Sequence, residues 1–221
     1  MKKLFQTSII LISASLILSA CKKDSTSPGG SSNNTKAVIV DKTWWGMFTY
    51  AGEASEYYSV HFNTDSSVTW NQTLGEYQGR WSLTGNHLNI NFGPGGISID
   101  ADVTSDNKLA NITTSNTSVV NSGQLLPNPT QLSLDGTQWK GVYTDKIGST
   151  YNFEMDFKSG SKVDIAFDGT GATTYSYTRS ASGVTIRTFD GDTRYWFGIV
   201  MTDTKMSGTE RPENKWELTK Q

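Results

Sequence analysis

Pairs of carboxylates are the first side chains in this sequence that could do chemistry. Glu53 lies three residues before Glu56, and Asp100 lies two residues before Asp102. Glycoside hydrolysis requires two such groups, one as the acid and the other as the base or nucleophile. On a strand, Asp100 and Asp102 share one face about 7 Å apart, and we interpret them as a polar strand face. A carboxylate-dependent glycan hydrolase stays open as an alternative function.

The histidines and the turn sequences give no second chemical signal. His61 and His87 lie far apart in the predicted strand order, and we expect two solvated surface side chains rather than a shared metal or base. The sequence DGD at 190–192 lacks the full spacing of a calcium loop, and GPGG at 93–96 has no following helix that would favour a phosphate. We therefore predict no catalytic residue, no metal site, no cofactor and no enzymatic activity.

Aromatic side chains form the more informative group, with 7 Trp and 9 Tyr in the chain. Trp45 alternates outward from Trp44, and the run YWFGIVM at 195–201 is apolar on both faces, which a surface strand should not be. Two interpretations stay open: these surfaces bury against each other, or they form an exposed platform for a sugar or a partner protein. The candidate binding surface comprises Trp45, Met47, His61, Tyr195, Trp196 and Phe197.

The N-terminal segment carries a targeting signal. Residues 1–20 have the charged start, the apolar body and the small final residues of a secretory signal peptide. The only cysteine, Cys21, ends the motif Leu-Ser-Ala-Cys, which resembles the lipobox of bacterial lipoproteins. That resemblance implies cleavage before Cys21, its acylation and attachment to a lipid bilayer. Inner-membrane lipoproteins of Gram-negative bacteria often carry Asp after the cysteine, so with Lys22 in that place the resemblance implies the outer membrane, with the periplasmic and the exposed face both open.

Residues 21–36 are predicted to be the lipidated cysteine and a flexible tether, because nothing from 22 to 36 is aliphatic or aromatic. The whole chain has 19 basic and 21 acidic side chains and a net charge of −2. A weak negative charge argues against a nucleic-acid partner, which needs a basic surface to displace counterions. With Cys21 acylated, no thiol remains for a disulfide or a thiolate metal site.

Short runs with period two cover the rest of the chain. Examples are YYSVHFN at 57–63, HLNINF at 87–92 and KVDIAF at 162–167, and turn residues such as LTGN and KSGS separate the runs. The chain has no convincing stretch with a helical period. We therefore predict an all-β fold with hairpin connections.

The strand pattern occurs twice along the chain. WWGMF at 44–48 matches WKGVY at 139–143, an offset of 139 − 44 = 95, and residues 103–109 match 200–206 near the end of the series. The matched positions are the alternate apolar residues, so the repeated feature is the core-facing pattern. We predict two tandem antiparallel meander modules, residues 37–126 and 127–221.

A first strand with Trp-x-Gly-x-aromatic, followed by a meander that ends in WELTK at 216–220, resembles the lipocalin-like barrels of many bacterial lipoproteins. The resemblance implies that each module is a small lipocalin-like barrel. Short strands and inward-facing Trp favour an interior filled by side chains. Lipocalins usually begin with a helical turn, which the sequence does not show. A β-sandwich in each repeat stays open as the alternative.

These observations predict a non-enzymatic, outer-membrane-anchored lipoprotein. It would bind a small apolar or glycan ligand, or a membrane protein partner. One alternative is an accessory subunit of an outer-membrane transport or assembly complex with no small ligand. The hydrolase alternative requires two acidic side chains that converge in an aromatic-lined cleft.

Overall fold

The computed structural model describes residues 36, 38–126, 133–190, 192–210 and 213–221, and of residues 189–190 and 192–195 it describes the backbone alone. The predicted signal peptide, Cys21 and most of the tether lie outside the described residues. The described residues belong to one compact unit. Within them, we find no helix with the length and hydropathy of a membrane span.

The first half of the described chain forms an antiparallel meander that curls into a nearly closed barrel. Its strands are β1 (Lys42–Thr49), β2 (Ser55–Phe62), β3 (Ser67–Gln72), β4 (Gly75–Thr84), β5 (His87–Asn91), β6 (Ser98–Val103), β7 (Leu109–Thr114), β8 (Val119–Val120) and β9 (Gln124–Leu125). They are ordered β7-β6-β5-β4-β3-β2-β1-β8, and β9 also pairs with β1. A bridge between Lys108 and Gln124 links the two ends of the sheet.

The second half forms a closed barrel. Its strands are β10 (Gln138–Thr144), β11 (Thr150–Lys158), β12 (Lys162–Phe167), β13 (Thr173–Ser180), β14 (Gly183–Asp190), β15 (Asp192–Thr202), β16 (Lys205–Glu210) and β17 (Asn214–Lys220). Each pairs with its neighbour in sequence, and β10 also pairs with β17. The predicted all-β fold with two tandem antiparallel barrel modules is confirmed, and the sandwich alternative is wrong.

The barrels have equivalent cores because the same alternate positions face inward in both. Three large side chains of the first barrel are fully buried, and so are the three side chains 95 positions later. These pairs are Trp44 and Trp139, Tyr58 and Phe153, and Phe62 and Phe157. Burial of a large apolar side chain contributes about 1.5–3 kcal/mol. The repeated sequence pattern is therefore the main source of stability in both modules.

The glycine of the Trp-x-Gly-x-aromatic motif is required by barrel closure. A Cβ on Gly46 would lie 1.9 Å from the carbonyl oxygen of Ser122, and a Cβ on Gly141 would lie 1.9 Å from that of Glu217. Both oxygens belong to the segment that closes its barrel against the first strand. A side chain at either glycine would push that segment away, so the motif marks the seam of each barrel.

A buried aliphatic side chain lies at the start of each barrel. Ile39 lies in a helical turn, in which the Val40 N–H donates to the Lys36 carbonyl (3.0 Å), and it is fully buried in the first core. Leu134, at the matching position, is buried in the second core. The expectation that the chain lacks an N-terminal helical turn is therefore wrong. The sequence pattern does not reveal this turn, because a single turn is too short for a helical period to be recognised.

Strand β15 has two buried faces, which explains its continuous apolar sequence. Trp196 and Val200 belong to the core of the second barrel. Phe197 and Ile199, which point the other way, form a cluster with Leu126 that half-buried side chains of the first module complete. The two barrels therefore share an apolar contact, as one of the two open interpretations expected.

Candidate functional site

The predicted binding surface does not form one exposed platform. Trp45 is half-buried and packs with Tyr57 into the cluster around Phe197, between the barrels. Trp196 faces the opposite way into the second core, where only 4% of its surface is exposed. Trp196 and Phe197 are both buried, on opposite faces of β15, so neither belongs to an exposed aromatic surface. The side chain of Tyr195 lies outside the described residues.

The interface around Trp45 is also polar at its margins. The Asn71 amide donates to Ser180 Oγ across it, at 3.3 Å. Burial, and after it the charge of Glu217, raises the pKa of Tyr57. These contacts hold the two modules together and leave Trp45 little surface for a ligand.

Met47 and His61 have local partners on the outer face of the first barrel. The backbone N–H of Met47 donates to Ser122 Oγ at 3.1 Å. The Nδ1 atom of His61 lies 3.0 Å from Thr43 Oγ1, and its Nε2 atom lies 3.5 Å from Asp41 Oδ1. These contacts orient the imidazole within the wall and bring no second candidate residue to it.

His87 lies on another face of the first barrel, beside the Asp100 and Asp102 carboxylates. Its Nδ1 atom is 3.2 Å from Asp102 Oδ1, and its Nε2 atom is 3.5 Å from Asp100 Oδ1. The Asn111 amide, which donates to Asp102 at 2.8 Å, and after it the His87 imidazole, lower the pKa of Asp102. Among the described residues, no group of three or more His, Cys, Asp and Glu is arranged to hold a metal ion.

Glu53 and Glu56 do meet further carboxylates, in a cleft of about 230 Å³ between the barrels. Glu210 and Glu213 from the second barrel line its other side. Glu210 accepts hydrogen bonds from the Tyr143 hydroxyl and the Asn214 amide, so it is built into the second barrel. The described lining of this cleft contains no aromatic side chain against which a sugar ring would stack.

A second cavity, of about 390 Å³, occupies one end of the first barrel. Loop and strand-end residues from three hairpins surround it, and five of its lining residues are aromatic. The lining residues are Phe48, Tyr50, Trp70, Gln72, Leu74, Tyr77, Gln78, Phe92, Gly96, Ile97 and Ile99. Tyr50, Leu74 and Tyr77 are also exposed to solvent, so they form the rim. Beyond this end, the interior of the barrel is filled by the buried side chains of the first core, as expected.

The wall of this cavity is a fixed set of aromatic rings. Trp70 stacks on Tyr58, with ring centroids 3.9 Å apart and planes 5° apart. Phe48 and Phe92 meet the same indole edge-on, at 5.8 and 6.0 Å. The Tyr58 hydroxyl donates to the Ser122 carbonyl at 2.9 Å, and burial raises the pKa of this phenol. Trp70 is therefore held from several sides, and only 4% of its surface stays exposed at the cavity wall.

Polar groups are few in this cavity, and one of them is deeply placed. The Trp70 indole N–H donates to Gln72 Oε1 at 2.9 Å, and only 6% of the Gln72 surface is exposed. The other carboxamide, Gln78, accepts from Thr69 and donates to Glu76 at the outer surface. None of the described lining residues carries a charge.

Beside the cavity, the first barrel has a smaller side chain than the second at one inward position, Ile99, and a larger one at another, Trp70 in place of Ile165. Ile99 faces Ile90 on the neighbouring strand, and Trp196 faces Ile186 in the same way, so Ile99 and Trp196 are equivalent. The Trp196 ring packs against other rings that fill the second barrel. They are Tyr143 at 5.7 Å, Phe153 at 5.3 Å and Phe167 at 6.2 Å between centroids.

Sequence reasoning missed Gln72 and Ile99 as site residues. The signal that would have found them is a difference between the repeats, since Gln72 corresponds to Phe167 at an offset of 95, and Ile99 corresponds to Trp196 at an offset of 97. Some positions have a large ring in one barrel and a smaller or polar residue in the other. Such positions mark where the barrel with the smaller residue is less tightly packed.

No protein-family model matches this sequence, and no curated protein matches it. Among solved structures, the chain is similar to a protein of unknown function of the DUF3598 family from Nostoc punctiforme. The similarity covers 86% of this chain and 98% of that one, with 12% sequence identity and a TM-score of 0.29. Any function must therefore be argued from the residues of this chain.

Proposed function

We propose that this protein is a non-enzymatic, lipid-anchored binding protein of the bacterial outer membrane whose first barrel holds a small ligand. The observation that carries the proposal is the cavity of about 390 Å³ with aromatic walls at one end of that barrel. Small-molecule sites are typically concave, mostly apolar and of 300–1,000 Å³, with few polar groups that set orientation. The cavity agrees with that description in its volume, its rings and its single deep carboxamide.

The motif around Cys21 supports the lipid anchor, and the barrel geometry agrees with an anchor at this end of the chain. The helical turn with Ile39 precedes β1, whereas Phe48 and Tyr50 line the cavity at the other end of that strand. Eight strand residues span about 25 Å. A lipid tether that reaches the barrel through the turn would therefore leave the opening free.

The alternative functions have weaker support. An accessory subunit would be favoured by an exposed patch at Trp45 or Trp196, but the first side chain is half-buried between the barrels and the second lies in a core. A glycan hydrolase would be favoured by two acids in an aromatic-lined cleft. The cleft that holds Glu56 and Glu210 has acids but no described aromatic side chain.

The proposal is tested by native mass spectrometry of the protein extracted from its own cells in mild detergent. We expect a chain that begins at Cys21 and carries acyl groups, with a discrete small adduct that denaturation removes. A matched variant, Ile99→Trp, places the ring of the second barrel into the cavity, and we expect it to fold and to lose the adduct.

Two results would count against the proposal. A wild-type chain that carries only its acyl groups contradicts ligand binding, and a stoichiometric larger protein supports the accessory-subunit alternative instead. An adduct that persists in Ile99→Trp places the ligand elsewhere in the molecule. A chain without acyl groups contradicts the lipid anchor and leaves the cavity as a separate question.

A further inference from the structure

We infer that the cavity of the first barrel selects a neutral, mostly apolar ligand that carries one hydrogen-bond acceptor oxygen, and that the Gln72 carboxamide recognises this oxygen. The inference rests on the proposed function. It adds to it the chemical class of the ligand and the residue that determines specificity.

The orientation of the Gln72 carboxamide follows from its neighbour. The indole N–H of Trp70 can only donate, so the carboxamide atom 2.9 Å from it must be the oxygen. The nitrogen, with its two donor hydrogens, then occupies the other position of the same planar group. Because Trp70 is held by its stacking on Tyr58, the carboxamide orientation is fixed before any ligand binds.

The donor side of this carboxamide is not used by the protein. Within the described residues, Gln72 Nε2 donates to no acceptor, although Gln72 is nine-tenths buried and lines the cavity. This nitrogen is not among the fully buried side-chain atoms without a hydrogen-bond partner, so water in the cavity can reach it. A carbonyl, ether or hydroxyl oxygen on the ligand would satisfy it.

The second barrel shows that the carboxamide is not needed to build such a fold. Phe167 occupies the position of Gln72 there and stacks on Phe153, with centroids 5.0 Å apart. The second barrel also has Ile165 at the position of Trp70, so no indole N–H needs an acceptor there. In the first barrel the oxygen of Gln72 serves the Trp70 indole, and its amide hydrogens remain for a ligand.

The rest of the wall defines the remainder of the ligand. The described lining has no charged side chain, so an ionised ligand would lose its hydration without a partner. Trp70, Phe48 and Phe92 offer ring surfaces to an apolar body. A sugar would bring several hydroxyl groups to a wall with one free deep donor, and the lining therefore favours a mainly apolar molecule over a glycan.

The test compares two probes of nearly the same shape, 2-acetylnaphthalene and 2-isopropenylnaphthalene, which differ in whether a carbonyl oxygen or a methylene group is present. Their dissociation constants are measured by equilibrium dialysis of the full chain in mild detergent, with a detergent-only cell as the blank. We expect the wild-type chain to bind the ketone about tenfold more tightly than the alkene.

Variants of the two glutamines in the cavity wall test which residue causes the preference for the ketone. Gln72→Leu should reduce it to less than about twofold. Gln72→Met keeps the length of the side chain and a weak sulfur acceptor for Trp70 but has no donor, so it should lose the preference even if Gln72→Leu fails to fold. Gln78→Leu, in the same wall but bonded outward, should keep it.

The outcomes separate the two proposals. Equal binding of the two probes to the wild-type chain, or a preference that survives in both Gln72 variants, overturns the role of Gln72 and leaves the cavity as a binding site. If neither probe binds, the inference on the ligand class fails, and the proposed function is then decided by the presence or absence of the native adduct.

Discussion

The two barrels share one strand order, one seam glycine and one pattern of inward residues, yet their interiors differ. The second barrel is closed by β10 and β17 and is filled by rings that contact Trp196. The first is nearly closed, has Ile99 in place of that tryptophan, and encloses a cavity. Small changes at two or three inward positions therefore separate a packed module from a module with room for a ligand.

This difference follows from how a barrel distributes its stability. Ladder hydrogen bonds and the matched core residues such as Trp44 and Trp139 are present in both copies. The end layer of each barrel is less constrained, because it contacts loops as well as strands.

The largest expected effect tests the seam. Gly141→Ala should destabilise the protein by about 4 kcal/mol or more, because its Cβ would lie 1.9 Å from a backbone oxygen of β17, a strand that β16 holds on its other side. Gly46→Ala should cost less, since the segment at Ser122 has fewer ladder bonds. The free energy of unfolding in urea measures both losses.

Gly171→Ala is the control for this comparison, because no atom lies within 4 Å of a Cβ there. It should leave the free energy of unfolding nearly unchanged. Equal losses for Gly46→Ala and Gly141→Ala would contradict the view that the first barrel closes less firmly.

The next effect tests the filled interior of the second barrel. Trp196→Ile gives this barrel the residue of the first, and we expect a loss of about 2–4 kcal/mol because the surrounding rings cannot collapse fully. Trp45→Ile removes the same atoms from a half-buried position and should cost less. Thermal unfolding compares the two, and a Trp196→Ile loss no larger than that of Trp45→Ile would show that the second interior is not tightly packed.

The smallest expected effect is the pH dependence of stability that arises from Asp102 and Lys158, on the outer faces of the two barrels. The Asn111 amide lowers the pKa of Asp102 in the first barrel, so its stabilisation is present above the unfolded pKa of about 3.9 and is lost as pH falls below it. The Asp156 carboxylate raises the pKa of Lys158 in the second barrel, so that contribution is lost as pH rises above about 10.4.

The midpoint of urea unfolding, measured from pH 2 to pH 11, tests these two opposite dependences of stability on pH. Asp102→Asn should flatten the acid limb slightly and leave the alkaline limb unchanged, and Lys158→Met should flatten the alkaline limb slightly. An alkaline limb that Lys158→Met leaves unchanged, or that Asp102→Asn alters, would contradict the contacts described here.

Much of the fold could be predicted from the sequence, because period-two patterns report directly which residues face a core. The match of Trp44 with Trp139 located both first strands, and the two apolar faces of 195–201 indicated that a second surface had to be covered. The sequence did not say which surface covers it. That depends on how the barrels pack, and residues such as Tyr57 and Phe197 are far apart in sequence.

The site could not be predicted, and the reason is also physical. A cavity is set by the size of a few side chains at one level of a barrel, and Ile99 looks like any other core residue in a strand. The register between the repeats shifts from 95 to 97 before it reaches Ile99, so its equivalence to Trp196 follows from the match of residues 103–109 with 200–206 and from the strand pairing. Gln72 in turn has meaning only beside the indole of Trp70.

The two buried faces of β15 have a consequence for inheritance. Phe197 and Ile199 are fully buried only because the first module lies against them. A gene that encoded the second barrel alone would place both side chains in water and invite aggregation. Recombination that separates the two copies is therefore disfavoured, and we expect the pair to be inherited as one unit.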